Sequence, residues 1–129
     1  MGLIHLILYK ILYNFYKEVI MKKIAFAGSS LADLRGFPLS VRQDIGYQLE
    51  LVQKGKMPFD WKPMPAIGTG VREVRVKDPA GIFRVIYLAK LEEAIYVLHC
   101  FQKKSQTTSH QDIELAKQRY KTLIKEYSQ

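Results

Sequence analysis

Residues 71–101, VREVRVKDPAGIFRVIYLAKLEEAIYVLHCF, decide the fold. They contain three runs rich in β-branched and aromatic residues: Val71 to Lys77, Ile82 to Leu88, and Ala94 to Phe101. Runs of this composition and length suit strands. The joins, Asp78-Pro79-Ala80-Gly81 and Lys90-Leu91-Glu92-Glu93, are short and turn-forming, so the strands are expected to follow one another as antiparallel hairpins. A meander results.

On the N-terminal side, Lys56 to Gly70 carries Pro58, Pro63, Pro65, Gly68 and Gly70. That density of breakers predicts an extended loop, with Trp61 pinning it to the domain. Before it, Val41, Ile45, Leu49 and Val52 recur at i, i+4, i+8 and i+11 between Pro38 and Gly55, which predicts a helix with one apolar face turned to a sheet. Ser30-Leu31-Ala32-Asp33 has capping-box spacing, with Ser30 as the expected cap of a short helix. Lys23 to Ala27 reads as a first strand ended by Gly28. A final helix is expected from Thr108 or Ser109, with Ile113, Ala116, Tyr120, Leu123, Ile124 and Tyr127 on one side. The order β, α, α, β, β, β, α specifies an α+β domain with a small, mostly antiparallel sheet, two N-terminal helices and a C-terminal helix. Helices are expected on one sheet face, leaving the other as a concave working surface.

A chain of 129 residues with 48% hydrophobic content supports one core, read here as a domain over 21–129. Twenty Lys and Arg against twelve Asp and Glu give a formal charge of +8, which favours an anionic partner. Cys100 is the single cysteine, so neither an intramolecular disulfide nor a cysteine zinc cage can form, which fits a reducing, cytoplasmic setting. Its place in the apolar run Ile95 to Phe101 reads as a small buried hydrophobe before a nucleophile. His5, His99 and His110 are too widely spaced for a ligand set, so neither metal nor cofactor is expected.

Residues 3–20 are mostly apolar but are interrupted by His5, Lys10, Asn14, Lys17 and Glu18, and no cleavage site follows. Lys10, Asn14 and Lys17 share one helical face. Such a helix would need cover from the domain, a second copy or a membrane surface, and spanning would need about 20 cleanly apolar residues. Met21-Lys22-Lys23 also reads as a translation start, which makes 1–20 an extension upstream of the true start. On that reading no membrane is involved.

Between Lys62 and Lys90 six basic residues, Lys62, Arg72, Arg75, Lys77, Arg84 and Lys90, stand against Glu73 and Asp78. Strand alternation sets Arg72 with Val74 and Val76, Arg75 opposite them, and Arg84 with Ile82, Ile86 and Leu88. A guanidinium in an apolar strand must meet a carboxylate, lie near an open edge or face an anion site. Glu73 and Glu92 are the candidate partners for an ion pair. Alternation also sets His99 with Ile95, Val97 and Phe101, just before Lys103 and Lys104, either as a satisfied core residue or as a proton-transfer group beside cations.

Metal-free RNA cleavage needs one group to take the 2'-hydroxyl proton, another to protonate the leaving 5'-oxygen, and cations for the phosphorane-like transition state. Arg84, His99, Arg72 and Lys104 are the candidate catalytic residues; Lys62, Arg75, Tyr87 and Lys103 are the candidates for holding RNA. Phe83, Tyr87, Tyr96 and Phe101 are core aromatics or base platforms, with Tyr87 the preferred platform. No phosphate-binding glycine loop, HExxH or GxSxG occurs, so nucleotide hydrolysis and metalloprotease activity lack support.

Gly28-Ser29-Ser30-Leu31-Ala32-Asp33-Leu34-Arg35 with Phe37-Pro38, Val71-Arg72-Glu73-Val74-Arg75-Val76, Phe83-Arg84-Val85-Ile86-Tyr87, and Ala94 to Ser105 resemble the RelE/ParE superfamily of toxins in its HigB-like, phage-derived branch. Asp112-Ile113-Glu114-Leu115-Ala116-Lys117 also fits, and the resemblance runs from about Met21 to about Tyr120. It implies a RelE-like fold and the toxin of a type II toxin-antitoxin system: an endoribonuclease acting on messenger RNA, usually on the ribosome, with a cognate helix-turn-helix antitoxin. The sheet arginine then corresponds to Arg84, the first strand-pair arginine to Arg72, and the late basic cluster to His99, Lys103 and Lys104. Two other readings stay open. A ParE-like toxin would poison DNA gyrase without nuclease activity, and a noncatalytic phage module would bind nucleic acid through charge alone, with strong salt dependence.

Overall fold

The three central strands form as their composition predicts, within a five-stranded sheet ordered β1-β5-β4-β3-β2. The structure is a computed structural model describing residues 2–128. Its elements are α1 (Gly2–Ile20), β1 (Lys23–Phe26), α2 (Ser30–Arg35), α3 (Leu39–Gln53), β2 (Trp61–Pro63), β3 (Val71–Asp78), β4 (Gly81–Leu88), β5 (Ala94–Gln102) and α4 (His110–Tyr127). β2, β3, β4 and β5 pair antiparallel, while β1 returns parallel beside β5. The α+β class and the mostly antiparallel sheet follow.

The breaker-rich loop contains one surprise. Trp61–Pro63 forms a short strand, pairing Trp61 with Val74, Lys62 with Glu73 and Pro63 with Arg72. Proline is tolerated there because β2 is an edge strand with no outer neighbour needing its missing N–H.

Two apolar layers hold the sheet. On one face Val41, Ile45, Leu49 and Val52 of α3 pack on Val74, Val76, Phe83, Val85, Tyr87, Val97 and Cys100. On the other, Ala116 of α4, with Ile113, Tyr120 and Leu123 beside it, covers Val71, Ile86, Leu88 and Leu98. Both faces are therefore covered, and the expected open concave face does not exist. The reason lies in β4: its residues from Phe83 to Leu88 are all buried, so both faces need apolar cover. Accessible polar groups are displaced to the β2 edge and the far end of β5.

A β-bulge shifts the phase of β5. Ile86 pairs with His99 but Tyr87 pairs with Val97, leaving Leu98 as the extra residue. Leu98 joins the α4 layer while Ile95 and Val97 stay in the α3 layer. Strict alternation would group His99 with Ile95 and Val97; the bulge sends it towards α4 instead. Arg119 of α4 braces this irregularity, donating from Nη1 to the Leu98 carbonyl at 2.8 Å and from Nη2 to Ser29 Oγ at 3.0 Å. Gly28, at φ +53°, leaves room for that guanidinium, which lies 2.7 Å from where a Cβ would stand.

The first cap is displaced by one residue from expectation. Ser29 is the N-cap of α2, and its hydroxyl donates to Asp33 Oδ2 at 2.8 Å, whereas Ser30 is buried and reaches the Val97 carbonyl at 3.3 Å. At α4, which starts where the sequence places it, Ser109 is the N-cap and accepts from the Asp112 N–H.

The N-terminal segment is helical, but residues 2–16 are exposed along their whole length, Ile4 at 72% and Phe15 at 64% among them. The side chain of Lys17, expected in the polar stripe, lies outside the described residues. Anchoring to the domain is seen at Lys22: its N–H donates to the Gln53 carbonyl at the end of α3 at 3.1 Å, and its Nζ donates to the Ala89 and Leu91 carbonyls between β4 and β5 at 2.8 and 2.9 Å. Among the described residues no helix is long and apolar enough to cross a membrane.

Candidate nucleic-acid interface

Arg75 on β3 and Arg84 on β4 are register partners, so both project from the same sheet face near the β2 edge. Arg84 is 1% exposed and its Nη1 lies 2.7 Å from Oε1 of Glu73, itself 2% exposed. The pair is Glu73, not Glu92. Arg84 Nη1 also donates to Thr108 Oγ1, and Nη2 donates to the Gln106 carbonyl at 3.3 Å. Thr108 in turn donates to Glu73 Oε2 at 2.8 Å. Glu73 therefore ties β3, β4 and the segment leading into α4 into one network. A buried charge with this many partners is compensated, so Arg84 is a buried, paired cation and not a solvent-exposed one. Only its Nε lacks a partner.

Above this pair opens a cleft of about 160 Å³ lined by Asp60, Trp61, Lys62, Glu73, Arg75, Arg84 and Gln106. Arg75 grips Asp60 through Nε at 2.9 Å and Nη2 at 3.3 Å, and the Asp60 carboxylate raises its already high pKa further. Lys62 is exposed, with its Nζ 3.8 Å from Glu73.

A second cleft, about 340 Å³, lies across the Gln102–Ser109 segment and is lined by Lys103, Lys104, Ser105, Ser109 and Asp112 among others. Lys103 is held by its backbone N–H on the Ile82 carbonyl at 2.7 Å. Local desolvation, then the charges of Arg84, Arg75 and Lys62, push its ammonium pKa below the usual lysine value, with Glu73 opposing. Lys104 is exposed.

His99 sits behind this cleft. Its Nε2 is 2.7 Å from Asp112 Oδ1, its ring stacks on Phe101 at 4.6 Å, and its buried Nδ1 has no partner. Because a carboxylate only accepts, Nε2–H is the donor. Asp112, whose side chain is 28% exposed, also accepts from the Ser109 hydroxyl at 2.6 Å. Asp112 is the residue that sequence reasoning overlooked. Its signal is the Ser109-x-x-Asp112 cap, which explains a helix start but says nothing of a histidine on a distant strand.

Two further expectations change. Tyr87 is 0% exposed in the α3 layer, so its ring has no free face for a base. Burial pushes its phenol pKa up, and Arg72 lies close enough to oppose that shift without a well-formed hydrogen bond. Arg72 lines neither cleft and lies 4.8 Å over the ring of Trp61, itself part of the first cleft's wall. Cys100 is buried and its thiol is pushed up to about 12, chiefly by burial, in accord with its reading as a core residue.

The interface thus gathers Lys62, Arg75, Lys103 and Lys104 at solvent-facing positions, with Arg84 beneath them and the His99–Asp112 pair beside them. Among the described residues no three His, Cys, Asp or Glu side chains form a group able to hold a metal ion. No curated protein matches the chain. The family model described as phage derived protein Gp49-like (DUF891) matches residues 32–121, a span that runs from within α2 through most of α4 and takes in both clefts. With that much of its length matched, and with a fold consistent with small RelE-like α+β proteins, the chain belongs to the phage-derived Gp49-like family.

Proposed function

We propose that this protein is the toxin of a type II toxin-antitoxin system and cleaves messenger RNA on the ribosome without a metal ion. The observation that carries the reading is the meeting in one cleft of Lys103 and Lys104 with Asp112, which His99 holds from behind. Lysines beside a scissile phosphate stabilise the charge that develops on the phosphorane oxygens. Asp112, held at Oδ1 by His99, is placed to take the 2'-hydroxyl proton, and a lysine ammonium beside it to give one to the leaving 5'-oxygen. The neighbouring cleft, with Lys62 and Arg75, then holds the adjoining phosphates. Arg84 keeps both clefts in register through Glu73, Thr108 and Gln106. A cytoplasmic location and a helix-turn-helix antitoxin that covers the basic surface complete the proposal.

Incubating the purified protein with translating ribosomes and mapping messenger ends tests it. Cleavage is expected, and Lys104→Ala should slow it by about a hundredfold, the effect of removing one transition-state donor. Intact messengers would refute it, and gyrase inhibition in their place would establish the ParE-like alternative. Cleavage also has a pH signature from Lys103. Because its pKa is lowered on folding, its ammonium, and any phosphate contact that depends on it, is lost as pH rises through a value below that of an ordinary lysine.

A further inference from the structure

The loop before β2 displays an aromatic surface that continues outward from the first cleft, whose wall includes Trp61. Phe59 is 75% exposed, Tyr47 49%, Met57 41% and Trp61 37%. Their backbone is nevertheless fixed. The Phe59 N–H donates to Gln48 Oε1 at 2.8 Å, Gln48 being 5% exposed on α3, and the Asp60 carbonyl accepts from the Arg75 N–H at 2.8 Å. The Tyr47 ring meets Phe59 edge-on at 5.7 Å and 61°. The guanidinium of Arg72 covers Trp61 at 4.8 Å while its Nη1 donates to Met57 Sδ at 3.4 Å. These rings are fixed through their backbone and neighbours, yet keep part of their surface exposed.

We propose that Phe59 and Trp61, with Arg72, form a stacking shelf for the unpaired bases of single-stranded RNA. The inference rests on the RNA reading above and extends it to a separate surface. Trp61 lines the same cleft as Lys62 and Arg75, so a strand whose phosphates enter that cleft meets the shelf without a gap. Aromatic faces alternating with cations suit a polyanion whose bases are splayed out, because stacking supplies affinity without sequence preference while charge holds the backbone. The chain's formal charge of +8 favours that occupant over a neutral peptide. The shelf also takes over the base-holding role that buried Tyr87 cannot perform.

The test uses the full chain and fluorescence anisotropy with three probes: a short oligouridylate, an abasic ribose-phosphate strand of equal length, and an RNA duplex. Phe59→Leu and Trp61→Leu keep apolar bulk but remove the ring. Each should weaken oligouridylate binding about tenfold and leave the abasic strand unaffected, since only a base can stack. Trp61→Phe, which keeps a ring, should restore much of the loss, and thermal unfolding of each variant checks the fold, with Phe59→Leu expected to match wild type because that side chain is 75% exposed. Unaltered oligouridylate affinity in both leucine variants overturns the shelf, as does an equal loss on the abasic strand. Normal RNA binding with loss of a co-purifying helix-turn-helix partner would reassign the surface to a protein. If wild type cleaves messengers and the leucine variants bind as it does, the shelf alone fails. If it binds oligouridylate through Phe59 but cleaves nothing, the nuclease reading alone fails.

Discussion

Arg75 and Arg84 face each other across β3 and β4, each holding a carboxylate at hydrogen-bond distance, yet they belong to different electrical worlds. The Arg75–Asp60 side chains are 39% and 45% exposed; those of Arg84–Glu73 are 1% and 2% exposed. Water screens the first pair and competes for it, so it contributes at most about 1 kcal/mol. The second pair has lost its hydration, and removing one member strands the other. The contrast separates a fixed floor from an adjustable wall: water can replace Asp60 beside Arg75, whereas Arg84 cannot leave Glu73 without leaving a buried charge unpaired.

The strongest way to break this comparison is Arg84→Ala. It should cost about 3–5 kcal/mol in thermal or denaturant unfolding, with cleavage lost as a consequence. Combining Arg84→Met with Glu73→Leu should recover most of that stability by removing both charges, although cleavage should stay low because the Gln106–Thr108 segment loses its anchor. A stable Arg84→Ala protein that fails to cleave would instead return Arg84 to direct catalysis.

Asp112 lies between the two extremes of burial and sharpens the scale. Asp112→Ala leaves His99 with both ring nitrogens unpaired and removes the partner of Ser109, so a loss of about 1–3 kcal/mol is expected in unfolding. Cleavage on translating ribosomes should fall by about a hundredfold or more if the carboxylate takes the proton. Unchanged cleavage would confine the pair to a structural role.

At the exposed end, Arg75→Ala should shift stability by less than about 1 kcal/mol. It should still weaken RNA binding and lower the salt dependence of that binding by about one contact. Destabilisation equal to that of Arg84→Ala would collapse the distinction. The smallest effect is expected at the N-terminus. A chain beginning at Met21 keeps the Lys22 bonds to Gln53, Ala89 and Leu91 and loses the exposed stretch 2–16, so its unfolding midpoint and cleavage should match those of the full chain. A marked loss in either measurement would give α1 a structural role.

Local patterns are legible wherever one residue's surroundings are set by its near neighbours in sequence. The i, i+4, i+8, i+11 series from Val41 to Val52 announces a helix because every member must turn to the same side, and all four are buried. The three long strands announce themselves in the same way, and the basic bias between Lys62 and Lys90 is a matter of composition alone. Arg84 is visible as an anomaly, because a guanidinium among aliphatic residues demands a partner whatever the fold.

Which partner it finds is another matter. Glu73 and Glu92 are equal candidates until strand register puts the former across from Ile86, beside Arg84, with Thr108 closing the network from a segment far along the chain. The same limit governs His99. Alternation gives a strand two faces but cannot foresee Leu98 as an extra residue, so the turn of His99 towards Asp112 depends on a bulge braced by Arg119 from another helix. Tyr87 and Phe59 show it most simply: periodicity cannot say that the strand tyrosine is covered by α3 while the loop phenylalanine is held in the open by Gln48. Residue type and spacing determine what each segment becomes, because those forces act within a few residues. Burial, pairing and access were decided only in the tertiary structure, because they depend on which distant surfaces exclude water from one another.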